Sequence, residues 1–446
     1  MKFIDIFDTW KQLGALENTL SDDHQQISYQ DAILRINTYR NWLLDNKLTP
    51  PIAFCCDQSI EHLMMLMALL STDINFALLP GNHTEFDGDV FGDQLRMSAH
   101  YHSDLTHITL NKHDRGNTTT IAGAVYFVTS GSLGSPKVVV HQRENLVANS
   151  FNVLERLPLD HENRVLIPVP IHHMYGFGAA LLPSLLVGAT VHITSNLNII
   201  KFKTVEHHFV PNVIYLTPHM LDGLLYKPNH DLVYQFIVSA GDCFGNHKYT
   251  RATAKFKQIF NLYGSTELGV IAIGEVQKAG QEINDAVVPL SAVEVKIDKG
   301  KLTVKHPFGF DYYLHQPKQQ SLFTTGDLVS ISKHSGFRVI GRDTFSVNRD
   351  GRLLAFSELE TQIKRHQDIE DVVLIKGKED IKGHTIVAVV GSSTQADPKV
   401  LRKQLADYLP PYAMPAKVIV LPQLPKLSSG KINRKEITKL YEGSEI

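Results

Sequence analysis

The chain has 446 residues, 43% hydrophobic and 20% charged, which suits a large cored domain plus a smaller one and excludes a disordered or fibrous chain. A formal net charge of −2 at pH 7 supplies no basic excess to recruit nucleic acid, so any anion site has to be local. The three cysteines, Cys55, Cys56 and Cys243, offer neither a disulfide framework nor zinc-ligand spacing, and the adjacent pair reads as core, which fits a reducing cytoplasm.

The N-terminus, MKFIDIFDTWK, carries acidic residues too early for a signal peptide. The longest apolar run, LMMLMALL, is too short to span a bilayer, so a soluble protein without an integral membrane segment is expected. AGAVYF at 122–127 has strand character, and VVV at 138–140 leads into a helix-like segment around ENLVANSF. Between them, VTSGSLGSPK at 128–137 reads as a loop suited to a polyphosphate. Its glycines let backbone N–H groups approach an anion, its Thr and Ser add hydroxyl donors, and Lys137 supplies a mobile positive charge. It differs from the common nucleotide loop, in which Gly-Lys is followed by Ser or Thr; here Lys137 follows Pro136 and precedes Val138, and a kinase or GTPase reading fails. An ordinary Gly/Ser turn has the same composition, and the stretch alone does not decide between the two.

Farther along, RVLIPVP then GFGAALLPSLL, TVHIT, VIYL then PHMLDGLLY, QFIVS and KQIFNLY alternate strand-like with helix-like segments. This predicts an α/β fold with largely parallel sheets. From about Ala292 the texture changes. AVEVKIDKGKLTVKH predicts two strands around an Asp-Lys-Gly turn, and DLVSISKHSGFRVIG a hairpin turned at Ser-Gly, together an antiparallel subdomain. After Gly341-Arg342 come a helix near SELETQIKRH, strands in DVVLIKG and TIVAVVG, a helix in PKVLRKQLADYL and a strand in AKVIVLP. The expected organisation is a large N-terminal domain over 1–341, of parallel-rich sheets packed with helices plus the antiparallel subdomain, and a small α+β C-terminal domain over 342–446. No internal repeat is visible, and the 22 histidines show no HExxH or similar metal spacing.

Four further stretches carry chemistry. NLYGSTELG at 261–269 offers a ring for stacking on a base, hydroxyls for phosphate and a carboxylate for a cation. TTGDL at 324–328 presents Asp327 after a glycine, able to accept two hydrogen bonds from a ribose diol. GRDTFSVNRDG at 341–351 puts Arg342 at the domain joint, and LPKLSSGKINR at 424–434 exposes Lys431 in a Gly/Ser-rich loop. Each alone is compatible with a surface turn.

With these motifs in this order, the sequence resembles the adenylate-forming superfamily: acyl- and aryl-CoA synthetases, adenylation domains of nonribosomal peptide synthetases, and luciferases. TSGSLGSPK resembles its phosphate loop, YGSTE its Tyr-Gly-x-Thr-Glu motif, TGD and GR its ribose and hinge motifs, and LPKLSSGK its terminal lysine motif. PIHHMYGFG at 170–178 resembles its Pro-x-x-His-x-x-Gly stretch, with His173 and Gly176 in the matching places, and the resemblance runs from roughly Ser28 to Glu436.

The resemblance implies ATP and Mg2+ as cofactors and a carboxylic acid as substrate. The acid attacks the α-phosphate to give an acyl-adenylate and pyrophosphate, and the phosphopantetheine thiol of CoA or of an acyl carrier protein then displaces AMP. It implies that Thr129, Ser130, Gly131, Ser132, Gly134 and Lys137 hold the polyphosphate with Gly264, Ser265 and Thr266, and that Glu267 helps hold the metal. Tyr263 packs on adenine beside Ala240, Gly241 and Asp242, Asp327 and Arg342 hold the ribose, and Lys431 bridges the carboxylate and α-phosphate. Because Lys431 lies in the small domain, that domain is expected to be mobile, rotating after the first step to open a thiol tunnel lined partly by the loop holding Gly351.

Three positions depart from the family pattern. Leu133 stands where the loop usually has Thr, Thr344 occupies the usual charged hinge position with Asp343 one place earlier, and Asn348 replaces a common lysine. Amino-acid-activating relatives place an aspartate in the region of PIHHMYGFG to pair with the α-ammonium, and no acid occurs between Ile171 and Ala180, which favours a fatty, aryl or other simple acid. His173 reads either as a wall or gate of the pocket or as a packed core histidine. The alternative to a ligase is a nonenzymatic ATP-binding or carrier-docking relative that has lost turnover; retention of Lys431, Glu267, Asp327 and Arg342 argues for the ligase.

Overall fold

The structure is a computed structural model that describes residues 3–46, 51–81, 100–101, 108–109, 122–129, 137–218, 220–221, 234–240, 246–279, 282–314, 316, 322–333, 335–349, 352–380, 383–392, 396–426 and 432–442. It divides into two compact units. One comprises Met1–Glu294, Lys305–Phe323 and Lys333–Gly336; the other comprises Val295–Val304, Thr324–Ser332 and Phe337–Ile446, so the antiparallel sheet groups with the C-terminal module.

In the first unit the alternating segments form two parallel-rich sheets. Among the described residues, one orders the strands Val288–Pro289, Gly269–Glu275, Phe256–Ser265, Tyr234–Ala240, Val213–Leu216, Arg164–Ile167, Thr190–Ile193, Thr19–Ser21 and Gln26–Ser28. Those from Phe256–Ser265 to Thr19–Ser21 run parallel, and antiparallel strands flank them. Val213–Leu216 and Thr190–Ile193 are buried at every position, as expected of parallel strands covered on both faces. The second sheet orders Tyr312–Tyr313, Lys137–Gln142, Ala124–Thr129, Phe76–Pro80, Ile52–Cys56, His100–Tyr101 and Ile108–Thr109. The LMMLMALL run forms the last eight residues of the helix Ile60–Leu70 and is buried at each of them, with Ser59 capping the helix start and Cys55 and Cys56 buried just before it.

The order of the first sheet contains a reversal. From Arg164–Ile167 the chain crosses to Thr190–Ile193 on one side and next adds Val213–Leu216 on the other. The carboxyl ends of such strands flank the crevice where open α/β sheets bind ligands. After Ile167, Pro168 and Val169 lead into PIHHMYGFG, and from its Tyr175 the chain winds as a π-helix to Leu181 before the short α-helix Leu182–Leu186. Such windings recur at functional sites.

In the second unit the strands Glu294–Asp298, Lys301–Lys305, Phe323–Ile331 and Phe337–Arg342 lie in that order. Lys299 (φ 48°) and Gly300 (φ 78°) both take left-handed backbone, as a two-residue type I′ turn requires, and glycine carries the second without a Cβ penalty. The C-terminal module is a sheet ordered Arg352–Ala355, Ser346–Arg349, Gly383–Gly391 and Asp371–Asp380, with Lys417–Leu421 added in parallel to Gly383–Gly391. Strand alternation gives it two buried faces. Val372, Leu374, Ile386, Ala388 and Val390 pack with Phe356, Ile363 and Leu401, while Val373, Ile375, Val387 and Val389 pack with Leu424 and Ile437.

Candidate active site

Thr129 and Lys137 are register partners at the end of the antiparallel strands Ala124–Thr129 and Lys137–Gln142. Ser130, Gly131, Ser132, Leu133 and Gly134, which fall between them in sequence, lie outside the described residues, as do Gly241, Asp242, Gly351 and Lys431. The strand that begins at Lys137 accepts a third partner from far along the chain: Tyr312 pairs with Val140 and Tyr313 with Val139. Leu314 N donates to Val138 O at 2.9 Å, Asp311 N donates to Val140 O at 2.8 Å, and the Asp311 carboxylate accepts from Gln142 N and Nε2.

That same segment grips the YGSTE turn. Phe310 N donates to Glu267 O at 2.7 Å, and the Tyr313 hydroxyl donates to Glu267 Oε1 at 2.9 Å. Lys137 Nζ lies 4.7 Å from the centre of the Tyr313 ring, within cation–π range. The strand 137–142 and the YGSTE turn, about 130 residues apart in sequence, are thus held on one template. Burial and the adjacent Glu267 carboxylate push the Tyr313 hydroxyl upward, so it remains a protonated donor.

The turn itself is supported from beneath. His141 is fully buried, its Nε2 meets Thr266 O at 2.7 Å, and burial pulls its pKa down to about 4, so the ring is a neutral donor to that carbonyl. Asn149 brackets Val270, Nδ2 donating to its carbonyl and Oδ1 accepting its N–H. At Gly264 an added Cβ would stand 2.4 Å from Gly269 O, so the approach of the two strands at the motif demands glycine. Ala240, on the adjoining parallel strand, pairs with Leu262, one residue before the half-buried Tyr263. Ser265, Thr266 and Glu267 are half-buried at the end of that strand.

At the topological switch, the Tyr175 hydroxyl sits 2.8 Å from Val238 O and 3.1 Å from Leu216 O, tying the PIHHMYGFG segment to the ends of two parallel strands. His173 is exposed, which removes the packed-core reading, while its neighbour His172, ring centres 4.3 Å apart, is the sheltered one. Burial first, then His173, pulls the His172 pKa down to about 3.

In the second unit, Asp327 and Arg342 are brought together directly. They are register partners, and Arg342 Nε lies 2.7 Å from Asp327 Oδ1. Asp327 N also donates to Thr325 Oγ1 at 3.1 Å. Asp343, at the hinge expected from the sequence, pairs with Lys301 at 2.7 Å. Lys426, within the terminal lysine motif, and Ile432, directly after it, form an isolated antiparallel bridge.

Sequence reasoning passed over Tyr313, His141 and Tyr175. The visible signals were a Tyr-Tyr pair after PFGF and a histidine directly behind the VVV strand; what gives them meaning is pairing across more than a hundred residues.

The donor set fits magnesium carried by a nucleotide. Among the described residues no group of three or more His, Cys, Asp and Glu side chains could hold a metal by itself. Glu267 offers a single carboxylate, consistent with an ion that takes most of its ligands from phosphates and water. No helix among the described residues is long and apolar enough to cross a membrane.

Comparison with known proteins agrees with this geometry. A model described as AMP-binding enzyme matches residues 93–308, and one described as AMP-binding enzyme C-terminal domain matches 358–431. The chain is 24% identical over 333 residues to an uncharacterized acyl–CoA ligase, YhfT, of Bacillus subtilis, covering 71% of this chain and 68% of that protein. It is 27% identical over 359 residues to a D-alanine–D-alanyl carrier protein ligase of Lactococcus lactis, covering 71% and 69%. The fold superposes on the O-succinylbenzoate coenzyme A synthetase of Bacillus subtilis, solved with ATP and magnesium ion, with a TM-score of 0.82 at 19% identity, covering 97% and 99% of the two chains. Matched by these two models over well more than half of its length, the chain belongs to the adenylate-forming superfamily of AMP-binding enzymes.

Proposed function

We propose that this chain activates a carboxylic acid other than an α-amino acid with ATP and passes the acyl group to a phosphopantetheine thiol of CoA or of a carrier protein. A carboxylate oxygen attacks the α-phosphorus, the bond to the β-phosphate oxygen breaks, and pyrophosphate leaves. The thiol sulfur then attacks the acyl carbon, its proton passes to solvent, and the acyl–oxygen bond to AMP breaks. The observation that carries the reading is the joint held by Tyr313: a lysine at the end of the phosphate-loop strand and the carboxylate of the YGSTE turn share one support.

In this reading Lys137 and Thr129, with Ser130, Gly131, Ser132 and Gly134, hold the polyphosphate together with Gly264, Ser265 and Thr266. Glu267 is the residue that would hold magnesium, and the ion bound there supplies positive charge against the triphosphate. Tyr263, Ala240, Gly241 and Asp242 border adenine, and Asp327 with Arg342 take the ribose. His173, exposed at the topological switch, faces the acyl substrate, and the absence of an acidic residue between Ile171 and Ala180 supports a substrate without an α-ammonium. Residues 342–446 act as a small mobile domain carrying Lys431, which bridges the carboxylate and α-phosphate, and the setting is cytoplasmic.

The test is pyrophosphate release with ATP and magnesium across aliphatic, aromatic and amino acids, with and without CoA. Release that depends on a simple acid is the expected result, and stimulation by CoA identifies the acceptor. Release driven only by free amino acids would overturn the substrate class, and ATP binding with silence across the whole panel would favour a relative without turnover.

A further inference from the structure

The segment from Phe310 to Leu314 is stitched to two parts of the proposed nucleotide site at once, and its chemistry is concentrated in one side chain. Its backbone bonds to the Lys137–Gln142 strand through Asp311 N and Leu314 N, and to the YGSTE turn through Phe310 N. The Phe310 ring meets the Tyr313 ring edge-on at 4.9 Å and the Phe323 ring at 5.4 Å, so Tyr313 has little room to turn. From this fixed position its hydroxyl donates to Glu267 Oε1 at 2.9 Å while its face carries Lys137 Nζ at 4.7 Å.

We infer that Tyr313 is a positioning residue of the nucleotide site, its hydroxyl aiming the Glu267 carboxylate at the cation and its ring holding Lys137 toward the polyphosphate. The inference rests on the reading of Glu267 and Lys137 given above. Its physical basis is that an acceptor oxygen committed to one donor fixes the carboxylate plane, leaving the other oxygen in a set direction. The ring acts separately: an ammonium held over a π face keeps its position without losing its charge. The two functions are separable, because phenylalanine keeps the ring and loses the hydroxyl.

The experiment is calorimetric ATP binding at fixed free magnesium, from none upward, for the wild type, Tyr313→Phe, Tyr313→Leu, Glu267→Gln and the double variant Y313F/E267Q, each checked for its melting transition. In the wild type magnesium should tighten ATP binding. In Tyr313→Phe the magnesium concentration giving half of that tightening should rise by about tenfold or more, with metal-free ATP binding unchanged. Tyr313→Leu should weaken metal-free binding as well, and in the Glu267→Gln background the Phe substitution should add nothing. A wild-type magnesium dependence retained in Tyr313→Phe would overturn the inference alone, as would an equal further loss in the Glu267→Gln background. Metal-free binding equal in Tyr313→Leu and Tyr313→Phe would overturn the role of the ring. No effect of magnesium on the wild type would sink the reading of Glu267 itself, so the two failures are distinguishable.

Discussion

Asp327 and Arg342 face each other across a pair of antiparallel strands, with Arg342 Nε 2.7 Å from Asp327 Oδ1. The aspartate side chain is 6% exposed and the arginine 52%, so the carboxylate is fixed and the guanidinium keeps one face toward water. In the proposed reading, a ribose diol meeting this pair finds an acceptor that is already oriented.

Replacing Asp327 by Ala should weaken ATP binding by about 10–100-fold, the usual loss of hydrogen bonds to a charged group. The specific signature is sugar discrimination. Wild-type protein should prefer ATP over its 2′,3′-dideoxy analogue in calorimetry, and D327A should bind the two alike. Preserved preference in the variant would remove Asp327 from the ribose.

Lys431→Ala should lower acid-dependent acyl-adenylate formation by roughly 100-fold or more while leaving ATP affinity near the wild-type value, because in the proposed reading the lysine acts where charge concentrates in the transition state. Single-turnover formation of acyl-AMP separates the two quantities. Acyl-AMP made at the native rate would take the role away from Lys431.

Stability should fall with acidification, through the buried imidazoles. His141 and His172 are held neutral, at about 4 and about 3, against an ordinary value of 6.5. Between those values and 6.5 the unfolded chain binds protons that the fold refuses, so stability present at neutral pH is lost as pH falls from 6.5 toward 4. For the fully buried His141 the effect is on the order of 3 kcal/mol. The urea midpoint should drop on going from about pH 7.5 to about pH 5, and less so in His141→Gln, which still offers an N–H to Thr266 O. A wild-type midpoint unchanged over that interval would contradict the assignment.

Val210 ends the helix Ile199–Phe209 in left-handed backbone, φ 50° and ψ 63°, a conformation poorly suited to a β-branched residue. Arg164 holds the helix end by donating from Nε to Phe209 O at 2.8 Å. Since Val210 is about half exposed, Val210→Gly removes strain without opening a cavity and should stabilise the protein by about 1 kcal/mol, read as a raised urea midpoint. A lowered midpoint would mean that the side chain contributes more than its backbone costs.

Much of this architecture is written locally. The parallel strands announce themselves as continuous apolar runs, and the Lys299-Gly300 turn fixes the first hairpin, whereas the facing of Asp327 and Arg342 needs the register shift between Leu328 and Val329, without which Asp327 would oppose Gly341. What local pattern does not carry is the joining of distant segments. Tyr312–Tyr313 contains only two residues, too short for any periodicity, yet it docks on a strand about 170 residues earlier. Likewise, adjacent histidines look alike in sequence, and it takes the folded chain to show His172 sheltered and His173 exposed. The grouping of the antiparallel sheet with the C-terminal module depends in the same way on tertiary contacts.

The most direct measurement of the central claim follows oxygen atoms. An acid that supports pyrophosphate release, labelled with 18O in its carboxylate, is converted with ATP, magnesium and the thiol acceptor, and the AMP formed is weighed by mass spectrometry. Attack of the carboxylate on the α-phosphorus predicts AMP carrying one labelled oxygen. Unlabelled AMP, or label found in inorganic phosphate beside ADP, would contradict it.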